Sequence, residues 1–113
     1  AGAIRMARDN AARAGVAEWT EFRQQSVGAV AVPVGKPGLV SINPPYGRHL
    51  GTPAESRDLM GAVLARLCDR YSGWRFVLVA PASVRPAGMP AGTAVHPVFH
   101  GGLNVRFFIG QIP

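Results

Sequence analysis

The stretch Asn43-Pro44-Pro45-Tyr46-Gly47 has residue types in an order that can do chemistry. The Asn43 side-chain carbonyl and the Pro44 backbone carbonyl both accept hydrogen bonds, and an exocyclic base amine has two N–H groups to donate. Accepting both turns the nitrogen lone pair toward an electrophile, which is catalysis by positioning. Proline fixes φ, so the acceptors are in place before a substrate arrives. Tyr46 adds a face on which a base can stack, worth about 1–3 kcal/mol, and Gly47 lets the chain turn away. The competing reading is a turn that only ends a strand, because two prolines stop ladder pairing in any case.

The flanking elements decide between these readings. The apolar run Gly38-Leu39-Val40-Ser41-Ile42 reads as a short buried strand. That puts the motif at a strand's carboxyl end, where open α/β sheets bind ligands. Beyond it, Thr52-Pro53-Ala54-Glu55 supplies an N-cap hydroxyl, a proline at the first helical position and a glutamate at N3. Leu59, Met60, Val63, Leu64 and Leu67 follow as one apolar stripe, extended by Cys68 and Tyr71, before Ser72-Gly73 ends the helix. Cys68 is therefore expected to be a small buried core residue.

Upstream, Ile4, Ala7, Ala11 and Ala14 recur at helical spacing over residues 3–14, with Gly15-Val16 as the stop. Residues 19–27 alternate in part and predict a strand, and residues 28–37 predict an irregular connection. Residues 74–80 (WRFVLVA) predict a strand covered on both faces. After a Pro/Gly-rich loop over 81–92, residues 93–99 and 105–109 predict two strands joined through 100–104, a hairpin closing the sheet edge. The order helix, strand, strand, helix, strand, hairpin implies an α/β sheet, parallel in its centre with an antiparallel edge.

A chain of 113 residues allows one domain at most, and 48% hydrophobic against 16% charged residues excludes disorder. No apolar run reaches the length of a membrane span and no signal peptide opens the chain, so a cytoplasmic protein without a membrane partner is expected. The net charge is +6, and every basic residue except Lys36 is arginine. This fits either a polyanionic partner or solvated arginine-bearing helix faces. Cys68 is the single cysteine, which rules out a disulfide framework or a cysteine metal site. His49 either lines the site or sits on a solvated loop. His96 and His100 flank the hairpin without the context of metal ligands. Arg48 and Arg106 are either phosphate contacts or surface residues.

The segments AIRMARDNAARAGV, GLVSINPPYGRHLG, GWRFVLVA and FHGGLNVRFFIG together resemble the catalytic domain of THUMP-associated ribosomal and transfer RNA methyltransferases. The large-subunit rRNA guanine-N2 group is the nearest match. Similarity runs over nearly the whole chain, and NPPYG is its most specific part. The resemblance implies a class I enzyme using S-adenosylmethionine on an RNA substrate. Asn43 and Pro44 would hold the target amine, with Pro45 stiffening the motif and Tyr46 stacking the base. Cofactor contacts would fall at Asn43 and at Ser26, where many members of the family carry an Asp near the adenine.

The family's glycine-rich cofactor loop, its ribose-binding acid and its THUMP module have no counterpart in this sequence. The expectation is a partial Rossmann-like methyltransferase sheet lacking its first two strands. Residues 1–113 would be the C-terminal part of the domain, binding the cofactor poorly if at all. In the family order 3-2-1-4-5-7-6, removing strands 1 and 2 leaves strand 3 about 14 Å from strand 4, three spacings of roughly 4.8 Å. The strand over 19–27 must then pair directly with the one at 38–42, detach, or find another chain. A homodimer through the open edge or a rearranged N-terminus is expected. Two rivals stand beside this reading: a DNA adenine-N6 methyltransferase fragment, and a non-catalytic remnant that binds nucleic acid or dimerises.

Overall fold

An alanine-rich segment flanked by arginines forms the first helix, α1 (Gly2–Arg13). It stops at Gly15, whose φ is 74°. The Val16 N–H returns to the Ala11 carbonyl at 3.0 Å and the Gly15 N–H to Ala12 at 3.1 Å. These two bonds satisfy carbonyls that the helix leaves without partners, the Schellman arrangement. The computed structural model describes residues 2–44 and 52–113, and it divides into two units, Ala1–Ala31 and Val32–Pro113.

The strand expected over 19–27 does not form. The first unit continues as two single 3₁₀ turns, Ala17–Trp19 and Val27–Ala29, with residues between them outside any ladder. An extended segment becomes a strand only when its N–H and C=O groups meet a partner. None of the four strands among the described residues offers one. Local bonds take over instead: the Trp19 N–H and the Thr20 hydroxyl both donate to the Val16 carbonyl, at 3.0 and 3.1 Å. Trp19 is left 80% exposed, so its aromatic character fills no core and merely imitates a strand pattern.

The second unit holds β1 (Leu39–Ile42), α2 (Pro53–Arg70), β2 (Arg75–Pro81), β3 (Ala94–His100) and β4 (Leu103–Gln111). The sheet order is β1-β2-β4-β3. β1 and β2 are parallel, with Ile42 opposite Leu78, while β4 runs antiparallel to both β2 and β3. This is the 4-5-7-6 end of the strand order that the resemblance implies. The hairpin is tighter than the sequence suggests. Only Gly101 and Gly102, both at positive φ, separate β3 from β4, as a two-residue turn of the primed kind requires. The hairpin closes this edge of the sheet as expected, with β4 next to β2 and β3 as the edge strand.

α2 covers one face of this sheet. Met60, Leu64, Leu67 and Tyr71 meet Phe76, Leu78, Ala80, Phe108 and Ile112 in a single core. β2 alternates between buried and half-buried side chains, so it is covered fully on the α2 face alone and not on both, as its continuous apolar run suggested. Cys68 is exposed, contrary to expectation. The helix buries Ser56, Met60, Val63, Leu64 and Leu67, and Cys68 lies about 100° around the axis from Leu67, past the stripe.

The capping box forms as expected. The Glu55 N–H donates to the Thr52 hydroxyl at 3.2 Å and the Thr52 N–H to the Glu55 carboxylate at 3.0 Å. Replacing Thr52 by alanine removes one of the two bonds and costs about 1 kcal/mol. The expected result is a lower urea midpoint with an unchanged slope.

Candidate active site and its family

Parallel pairing of β1 with β2 dictates where the chemistry can sit. A helix connecting two parallel strands runs back along them, so the start of α2 lies at the same end of the sheet as the finish of β1. Asn43 and Pro44 follow β1 directly at that carboxyl end, and β2 delivers its exit, Pro81-Ala82-Ser83, to the same end. Pro44 is buried and Asn43 is exposed. The proline therefore anchors the strand's exit in the protein, while Asn43 beside it is open to solvent. Pro45, Tyr46, Gly47, Arg48 and His49 lie outside the described residues, so base stacking at Tyr46 and a role for His49 remain expectations.

Ser26 belongs to the first unit. It precedes the Val27–Ala29 turn as its N-cap, with an exposed side chain that makes no capping bond, while its carbonyl accepts from the Ala29 N–H at 3.0 Å. In the same unit Arg8, Ala11, Thr20, Phe22 and Arg23 line a cleft of about 550 Å³, where Arg8 donates to the Phe22 carbonyl at 3.3 Å. A neighbouring cleft of about 510 Å³ is lined in part by Gln24 and Gln25. His96 is exposed on the edge strand and Arg106 is half-buried on β4. No group of three or more metal-ligating side chains occurs among the described residues.

Residue-type reasoning missed one feature of the carboxyl end. Pro53, Ala54 and Arg57 from the first turns of α2 face Ser83, Val84 and Arg85 from the β2 exit across a groove of about 310 Å³. The signal was available in principle. Once β1 and β2 are taken as parallel, the capping box and the residues after Pro81 must share one end of the sheet.

A sequence model of a family described as an RMKL-like methyltransferase domain matches residues 1–88. The chain belongs to that family. Among RMKL-like relatives, the ribosomal RNA large subunit methyltransferase K/L of Legionella pneumophila strain Philadelphia 1 is 33% identical over 107 residues, covering 93% of this chain. The protein of the same name from Methylococcus capsulatus is 32% identical over 112 residues, 97% of this chain. That from Photobacterium profundum is 41% identical over 71 residues, 62% of this chain. The chain spans only 15% of the length of the first two relatives. The mixed sheet is consistent with a partial methyltransferase fold, and its order β1-β2-β4-β3 matches the 4-5-7-6 part of the order that the resemblance implies. No helix among the described residues is long and apolar enough to cross a membrane.

Proposed function

We propose that these 113 residues are the C-terminal part of an RNA N-methyltransferase domain that transfers methyl from S-adenosylmethionine to an exocyclic base amine, guanine N2 of large-subunit rRNA. The placement of Asn43-Pro44 carries this reading: an exposed amide beside a buried proline, directly past the carboxyl end of a parallel strand. In this proposal Asn43 and the Pro44 carbonyl accept the two amine hydrogens, and Tyr46 stacks the base. The names of the relatives support a ribosomal RNA substrate.

The residues present fit the substrate half of such a site better than the cofactor half. A ribose is usually held by a carboxylate and a methionine tail by a glycine-rich strand end. The stretches around Ser26 and Asn43, residues 24–30 and 39–44, contain no acid, and β1 is followed by Asn43 and a buried Pro44 with no glycine. The donor set therefore does not fit S-adenosylmethionine on this chain alone, and the role of these residues is to bind and orient the amine.

The complete domain carrying these residues should methylate unmodified large-subunit rRNA and leave duplex DNA untouched. Methylation of adenine in the duplex, with none of the rRNA, would replace this reading with the DNA one.

A further inference from the structure

We propose that the groove between the start of α2 and the β2 exit is a track for the phosphodiester backbone of single-stranded RNA, with Arg57 and Arg85 as its two cationic walls. RNA as the polyanion rests on the function proposed above; the groove itself does not. Among the described residues its lining carries two arginines and no acid. Arg57 approaches Asp58 through Nε only at 4.0 Å, with both side chains more than half exposed. Such a pair contributes little and gives way readily to phosphate.

Both walls are set before any ligand arrives. On one side the capping box fixes the first turn of α2, and Ser56 is buried beneath it. On the other, Val84 is 4% exposed and belongs to the core, and its N–H donates to the Pro81 carbonyl at 3.0 Å. The Ala82 N–H ties the exit to Asn104 at 2.9 Å. Ser83 and Arg85 flank this buried valine and are held outward by it. A loop fixed in this way loses little freedom on binding. The groove and Asn43 both lie at the carboxyl end of the parallel strands. Phosphate contacts of this kind set register and carry no sequence information.

The test uses the 113-residue chain and a fluorescent unstructured RNA of roughly 12 nucleotides, with anisotropy read across a salt series. Removing two cations with R57Q/R85Q should weaken binding roughly ten-fold at physiological salt and flatten the slope of log affinity against log salt by about 1.4. The control R70Q/R75Q removes the same charge at the opposite end of the sheet, where α2 finishes and β2 begins. It should change affinity less than about two-fold, the long-range contribution being screened. R85E alone should weaken binding more than R85Q. Equal losses in the two double variants would show net charge at work and overturn the groove. So would wild-type affinity in R57Q/R85Q, or no RNA binding by the wild-type chain. An RNA track lost in R57Q/R85Q, in a complete domain that methylates no rRNA, would uphold the groove and remove only the proposed reaction.

Discussion

Replacing Asn43 by alanine in the complete domain should lower kcat for methyl transfer to rRNA by about 10²–10³-fold, the range for losing one positioned polar group at a reacting centre. KM for RNA should move little, because in the proposed site the residue meets one amine and not the backbone. Asn43 is exposed and lies just outside β1, so its truncation opens no cavity, and the thermal midpoint should stay within a degree or two of wild type. Asn43→Asp is the informative companion. A carboxylate also accepts from an amine, so this variant should recover much of the activity. A residue that only terminated the strand would tolerate alanine and show no such rescue. Equal activity of Asn43→Ala and wild type in single-turnover methylation would remove Asn43 from the site.

The second large effect is on stability. Phe76 is 0% exposed at the centre of the α2-facing core. Its opposite number on β4 is Gly110, and the ring lies across that glycine: a methyl placed there would meet Phe76 Cε1 and the Thr93 hydroxyl, each at 2.9 Å. Phe76→Ala should cost about 3–5 kcal/mol, a large share of the 5–15 kcal/mol typical of a whole domain. At about 4–8 °C per kcal/mol, the melting midpoint falls by more than 10 °C. Phe76→Leu keeps most of the volume and gives a folded variant for comparison. Gly110→Ala should destabilise the wild type, since Thr93 also donates to the Pro90 carbonyl at 2.6 Å and has little room to retreat. The same change should cost less in a Phe76→Leu background. That coupling, measured by chemical unfolding of the four proteins, tests the contact directly. Additive costs would mean the ring does not depend on the bare glycine.

What could be read in the sequence was local. Thr52 to Glu55 announces its capping box, and Gly15-Val16 its helix stop, because each bond closes within six residues. The position of the candidate motif could be read for the same reason: Asn43-Pro44 follows a strand and precedes a capped helix. Strand formation at 19–27 depends on a distant partner, and residue alternation carries no information about whether one exists. The position of β4 between β2 and β3 is likewise a non-local pairing, recoverable from the family order but not from the hairpin's own residues. Cys68 was misplaced by a single position on the helical wheel, where apolar character and burial diverge. Arg57 and Arg85 come together only after β1, α2 and β2 have assembled, so nothing in their own local sequence pairs them.

The two edges of the sheet differ in what they can recruit. On β3, Pro97 sits mid-strand opposite Arg106. An edge strand tolerates proline because the missing N–H faces solvent, and this breaks the row of donors that an incoming strand would need. β1 is only four residues long, has no proline within it, and among the described residues pairs with β2 alone. Growth of the sheet by added strands is thereby given a direction. For an added strand, β1 offers a short row of backbone groups without proline, whereas β3 offers a longer row interrupted at Pro97.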